Sequence, residues 1–251
     1  LINVPISISS ALAASSVPTL TAAFAAENDK QVRNLINAAM RFVMVIAIPS
    51  CVGLAVLAKP IFMLLFPGTM ETLDMASQIM LIGSAAVVFY SMSTLSNGLL
   101  QGINKLNVPV KNAAIALVAH IILLVGLMLF FRLNIYAVVV ANAFFALVMC
   151  ILNARDLQRY SGYKQEIQKT FLIPAIASAI MGAIAYGVYQ LFYSVFNNNA
   201  VALCISIIIA VLVYAVVLLL LKGLSEDDIR RFPKGHLIVA LAKKAHLLKN
   251  K

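Results

Sequence analysis

The sequence predicts an all-α protein, a polytopic membrane bundle of about seven transmembrane helices, and three observations predict it. Of its 251 residues, 63% are apolar and 11% charged, with a mean hydropathy of +0.98; an average soluble domain is about 45–50% apolar and about 25% charged. The apolar residues gather into nearly uncharged runs of about 20 residues, the length at which a helix crosses a bilayer. Those runs lack the apolar–polar alternation of barrel strands, which need only about ten residues. A water-soluble fold of this size would leave much of that apolar surface exposed. Composition therefore excludes a soluble globular enzyme, a disordered chain and a disulfide scaffold.

The expected spans are residues 1–26, 42–66, 75–101, 112–131, 133–153, 170–196 and 200–221. The chain opens at Leu1 inside an apolar run, with no basic n-region of a signal peptide, as expected of a piece of a longer protein. The first span carries the hydroxyls Ser7, Ser9, Ser10, Ser15, Ser16, Thr19 and Thr21, part of which share one helix face. Such a stripe either lets helices pack closely or lines a wet cavity. The second span holds Pro49 and, ahead of Pro60, the one formal charge in any expected span, Lys59. Its ammonium either snorkels to the outer interface or faces a cavity and pairs with an anionic substrate.

In the third span Ser91, Thr94, Asn97 and Gln101 fall three to four residues apart on one face, beside the small pair Gly98 and Gly102. Uncharged donors and acceptors in a row suit a sugar-like ligand, or equally a neighbouring helix. His120 lies near the middle of the fourth span, as a hydrogen-bonding strut or a proton carrier. Asn142, near the middle of the fifth, is placed to meet it across the hairpin. Cys51, Cys150 and Cys204 each sit in an apolar run, as small buried hydrophobes rather than disulfide or metal partners. No expected span contains a carboxylate, and no nucleophilic triad, metal-ligand spacing or phosphate-cradling glycine loop can be assembled. The expectation is no enzyme and no cofactor.

The net charge of +10 comes from 19 basic against 9 acidic residues. In a soluble protein it would raise the question of nucleic acid. Here every basic residue except Lys59 and Arg132 falls within residues 30–41, 105–111, 155–169 or 222–251. These are alternate loops and the tail, so the positive-inside rule places them, and the C-terminus, in the cytoplasm. No nucleic-acid partner is expected. In the tail, Ser225 to Asp228 has the form of a helix start. Beyond Pro233, residues 236–248 suit an amphipathic helix on the membrane surface, against anionic lipid headgroups, or an ordinary solvated tail.

Four stretches, in order, resemble a known family. They are Ser15-Ser16-Val17-Pro18-Thr19-Leu20 running into Glu27-Asn28-Asp29-Lys30 and Arg33; Pro49 to Leu54 with Leu57 to Ile61 and Leu64 to Phe66; Leu100 to Lys105 with Val108-Pro109-Val110; and Ser225 to Asp228 through Phe232-Pro233-Lys234-Gly235. Together they are similar to the polysaccharide transport branch of the MOP flippase superfamily, the last of them to the stage V sporulation protein B group. The resemblance implies the C-terminal lobe of a fourteen-helix protein, with residues 1–26 as its eighth helix. Residues 1–155 would hold about five lobe helices, 156–223 two additional helices, and 224–251 a basic cytoplasmic tail. The implied partners are a lipid-linked sugar, membrane lipids and the missing N-terminal lobe, in a bacterial cytoplasmic membrane.

The implied activity is export of a lipid-linked oligosaccharide or peptidoglycan precursor by alternating access. Lipid II flippases of this superfamily place arginines in the cavity, including on the helix matching residues 1–26, and this sequence has none there. Phosphate binding is then left to the other lobe, to Lys59 or to polar groups. The substrate-cavity candidates are Ser16, Thr19, Lys59, Asn97, Gln101, His120 and Asn142. Two other readings stand beside this one: a small-molecule antiporter of the multidrug and toxin extrusion type, and a non-transporting scaffold for cell-wall synthesis.

Overall fold

The computed structural model describes residues 1–68, 70–221 and 223. Among them are α1 (Asn3–Ala25), α2 (Asp29–Val56), α3 (Ala58–Leu65), α4 (Leu73–Gly102), α5 (Asn107–Leu129), α6 (Ile135–Ser161), α7 (Ile173–Phe196) and α8 (Asn199–Leu220). A π-helical turn, Gln168–Leu172, leads into α7. Seven helices are long and apolar enough to cross a membrane, all but α3. The described residues are all-α, as expected. The amphipathic helix expected in the tail lies outside them.

The second span differs from the expected 42–66. α2 begins at Asp29, capped by Asn28, whose Oδ1 accepts from the Gln31 amide at 3.1 Å. Its first turns are amphipathic, so apolarity alone does not mark them: Lys30, Gln31 and Asn34 are exposed, while Val32, Ile36, Ala39 and Met40 are buried with Leu20, Leu99 and Leu157. The helix ends at Val56, and the short α3 restarts after Leu57 carrying Lys59 and Pro60. Proline has no N–H to continue the ladder, which accounts for a break there. α6 likewise runs beyond the expected 153, because Asn153, Leu157 and Ser161 face the core; Gly162, at φ 62°, closes it in the left-handed region. This brings a carboxylate, Asp156, into a helix expected to have none.

α4 stands at the centre, against α1, α6, α2 and α3. At one end Gly83 faces both Ile2 and Val139; further along, Tyr90 meets Phe145 at 6.4 Å, Gly98 meets Ala13 and Gly102 meets Leu20. α1, α4 and α6 therefore run in the same direction, with α4 between the other two. A Cβ on Gly98 would lie 2.8 Å from the Ala13 Cβ, so only glycine allows this crossing. The Thr21 hydroxyl, on α1, donates to the Gly102 carbonyl at 2.9 Å.

The α7–α8 hairpin packs on α2. Tyr214 donates to the Val45 carbonyl at 2.8 Å, and the Asn199 Nδ2 to the Pro60 carbonyl of α3 at 3.0 Å. Below the hairpin, Arg41 of α2 pairs with Glu166 in the connection from α6. Burial, with Glu166 beside it, raises the Tyr163 phenol, only partly offset by Arg41, so it stays neutral in this joint. α5 rests chiefly on α6 and turns Val118, Ile122, Val125 and Leu129 outward, the surface a lipid bilayer covers.

Candidate functional site

The face of α4 carrying Gly83, Ala86, Tyr90, Thr94, Asn97 and Gln101 lies between α1 and α6, a shallow slot in which Tyr90, Thr94 and Asn97 are half-buried and Gln101 is exposed. Toward Gly83 the slot opens into a cavity of about 610 Å³, whose lining includes the polar side chains of Asn3, Tyr90 and Asn142 among Ile2, Phe62 and Val139. Two turns beyond Tyr90 on the same face, Asn97 is half-buried and joins a network of side chains from three helices. The Asn153 Nδ2 donates to Asn97 Oδ1 at 2.7 Å. The Asn112 Nδ2 donates to Asn153 Oδ1 at 3.0 Å and to Asp156 Oδ2 at 2.8 Å. Asn112 and Asn153 are buried, so these bonds lie where water does not compete.

The other candidates take separate places. Ser16 is half-buried and Thr19 exposed on α1, and Gln101 is exposed at the end of α4. His120 donates through Nδ1 to the Ala141 carbonyl at 2.9 Å, with its ring edge-on to Phe145. That carbonyl belongs to the residue before Asn142, and Asn142 itself turns into the cavity. Lys59 reaches Asp74 Oδ1 at 2.8 Å, with side-chain exposures of 56% and 77%. An ion pair this wet contributes only about 0–1 kcal/mol. Lys59→Met is therefore expected to leave the thermal midpoint in detergent and ligand binding close to wild type; a large loss of binding alone would put the ammonium in the substrate path.

Asn112, Asn153 and Asp156 were not among the expected site residues. The available signal was the three-residue spacing of Asn153 and Asp156, which puts them on one face of a helix. It is hidden when the span is ended at 153 by loss of apolarity.

A second groove, about 600 Å³ and almost wholly apolar, runs between α1, α2, α7 and α8, lined by Val4, Pro49, Gly53, Met181, Ala210 and Tyr214. Leu1, ahead of α1, lines both spaces. A slot with polar side chains thus adjoins a groove of lipid-like character.

The profile of a family described as lipid II flippase MurJ matches residues 2–205, which takes in α1 through α7 and the first turns of α8. The chain belongs to the lipid II flippase MurJ family. It is also 26% identical over 183 residues to the lipid II flippase MurJ of Bacillus subtilis (strain 168), covering 72% of this chain and 33% of that protein. The chain thus spans about a third of the length of the curated relative it matches. The MOP superfamily expected from the motifs holds, and the family found within it is MurJ. The MurJ-family match takes in the helices that wall the slot and the α1, α2 and α7 sides of the apolar groove, and it stops short of the groove-lining residues of α8.

Proposed function

We propose that this chain supplies one lobe of a flippase that moves a lipid-linked peptidoglycan precursor, of the lipid II type, from the inner to the outer leaflet. The observation that carries the reading is the polar slot beside an apolar groove, in a chain of the MurJ family. A sugar-diphosphate headgroup cannot cross hydrocarbon bare, because each unpaired polar group costs several kcal/mol there. The slot offers it amides and hydroxyls, while the groove lets the polyprenyl tail stay in an apolar surface.

The activity requires a second lobe, and rocking of the two lobes would open the slot to each side in turn. On this reading no bond is made or broken, and the chain is a transporter rather than a catalyst. The distribution of basic residues favours a cytoplasmic C-terminus in a bacterial cytoplasmic membrane, with the Asn97 end of the slot inward. The division into five lobe helices up to 155 and a two-helix addition fits the way α7 packs chiefly on α2, and α8 on α3, outside the hairpin. A sporulation setting rests only on the motif from Ser225 to Gly235.

The test is the whole protein in proteoliposomes, following the accessibility of a fluorescent polyprenyl-linked sugar to an external quencher. Protein-dependent translocation is expected. Gly53→Leu should suppress it by about tenfold or more, because a Cβ at Gly53 meets nothing within 4 Å and the larger side chain fills the tail groove without disturbing the fold. Efflux of a cationic dye with no lipid translocation would replace this reading with the antiporter. Absence of both activities, together with loss of wall growth on removing residues 225–251, would favour the scaffold.

A further inference from the structure

We propose that Asp156 fixes the direction of a chain of amides that presents Asn97 as a hydrogen-bond donor to a phosphate oxygen of the lipid-linked headgroup, an assignment that rests on the flippase reading above. An ionised carboxylate only accepts hydrogen bonds. The nitrogen of Asn112 therefore faces it, at 2.8 Å from Asp156 Oδ2. The same nitrogen, with its second hydrogen, reaches Asn153 Oδ1 at 3.0 Å. Asn153 must then turn its own nitrogen the other way, where it lies 2.7 Å from Asn97 Oδ1 and 3.5 Å from the Ser93 carbonyl. This occupies the Asn97 Oδ1, and among the described residues no group accepts from its Nδ2–H₂, on a residue that is half-exposed.

An isolated asparagine offers a ligand either end of its amide. Here the choice is made at Asp156, three links from Asn97, since reversing the chain would set the Asn112 carbonyl against a carboxylate. The first bond is charge-assisted, and each bond polarises the next. The outcome is a donor-only group facing the slot, which suits an acceptor-only ligand such as a phosphate oxygen. It also answers a need: α1 carries no basic residue, so the donors on this side of the slot are neutral. Asn97 would be a binding residue, and Asn153, Asn112 and Asp156 positioning residues that act through it.

The experiment measures binding of a polyprenyl diphosphate and of the corresponding polyprenol to the whole protein in nanodiscs, with thermal midpoints alongside. Asn97→Asp keeps an oxygen for Asn153 to donate to but replaces the outward donor by an acceptor. It should weaken diphosphate binding by about tenfold or more, the scale of one lost hydrogen bond to a charged group. Polyprenol binding and the thermal midpoint should not change. Asp156→Asn frees the chain to reverse and should weaken diphosphate binding about threefold to tenfold, within the range of one neutral hydrogen bond; Asp156→Glu should restore it. Diphosphate binding unchanged in Asn97→Asp overturns the proposal, as does equal loss of both lipids. Wild-type protein that binds neither lipid overturns the flippase reading and this assignment with it.

Discussion

Asn153→Leu is expected to destabilise the bundle by about 2 kcal/mol and to reduce lipid translocation by about tenfold or more. Three hydrogen bonds meet at this buried side chain, from Asn112, to Asn97 and to the Ser93 carbonyl. Side-chain bonds between membrane helices average about 0.6 kcal/mol each, so their joint loss gives roughly that total. The leucine is apolar and similar in size, so little of the change is steric. The functional loss should exceed the stability loss, because Asn97 is then free to turn either end of its amide to the slot. Thermal unfolding in detergent and the quencher assay measure the two separately. Equal, small changes in both would reduce Asn153 to a packing residue.

Gly98→Leu should be the most damaging single change in α4. Even a Cβ there lies 2.8 Å from the Ala13 Cβ and 3.5 Å from its Cα, so the obstacle is partly the backbone of α1. Overpacking a tight core by added methylenes costs about 1–3 kcal/mol, and a whole isobutyl group belongs at or beyond the top of that range. The prediction is that α1 lifts away from α4 and that a cysteine placed at the buried Leu20 becomes open to a thiol reagent. Gly98→Ala should cost less, and Ala13→Gly in the same protein should recover most of it, less about 1 kcal/mol for a glycine inside a helix. Failure of that rescue would mean that the two helices do not cross at this pair.

The bundle was legible because each bilayer-length apolar run folds as one helix. Asn97 stood out for the same reason, as a polar residue in an apolar helix. What was hidden shares one cause. Hydropathy marks where a helix meets hydrocarbon and not where the helix ends, so the amphipathic start of α2 and the last turns of α6 went unseen. Asp156 lies in those last turns of α6, and without it Asn112 and Asn153, the edge residues of their expected spans, had no visible partner. Lys59 was visible as a charge, but its partner Asp74 lies across a break in the chain that only the packing of α3 on α4 brings close. His120 and Asn142 lie on facing helices, but the imidazole reaches the Ala141 carbonyl rather than the Asn142 amide expected to meet it, a choice that depends on helix rotation by a fraction of a turn.

The parallel placement of α4 and α6 has a consequence for biosynthesis. Asn97 and its partner Asn153 are 56 residues apart, and α5 lies between them. At a ribosome speed of about 5–20 residues per second, α4 is delivered to the membrane roughly 3–11 s before α6 can answer its amide. During that interval the nascent helix has α1 and α2 beside it, neither of which bonds the Asn97 amide in the folded bundle, so that amide waits for its partner far longer than a helix takes to form. A chain released before residue 153 would carry that unanswered group into the lipid, which makes α6 the helix whose arrival commits the earlier ones to the membrane.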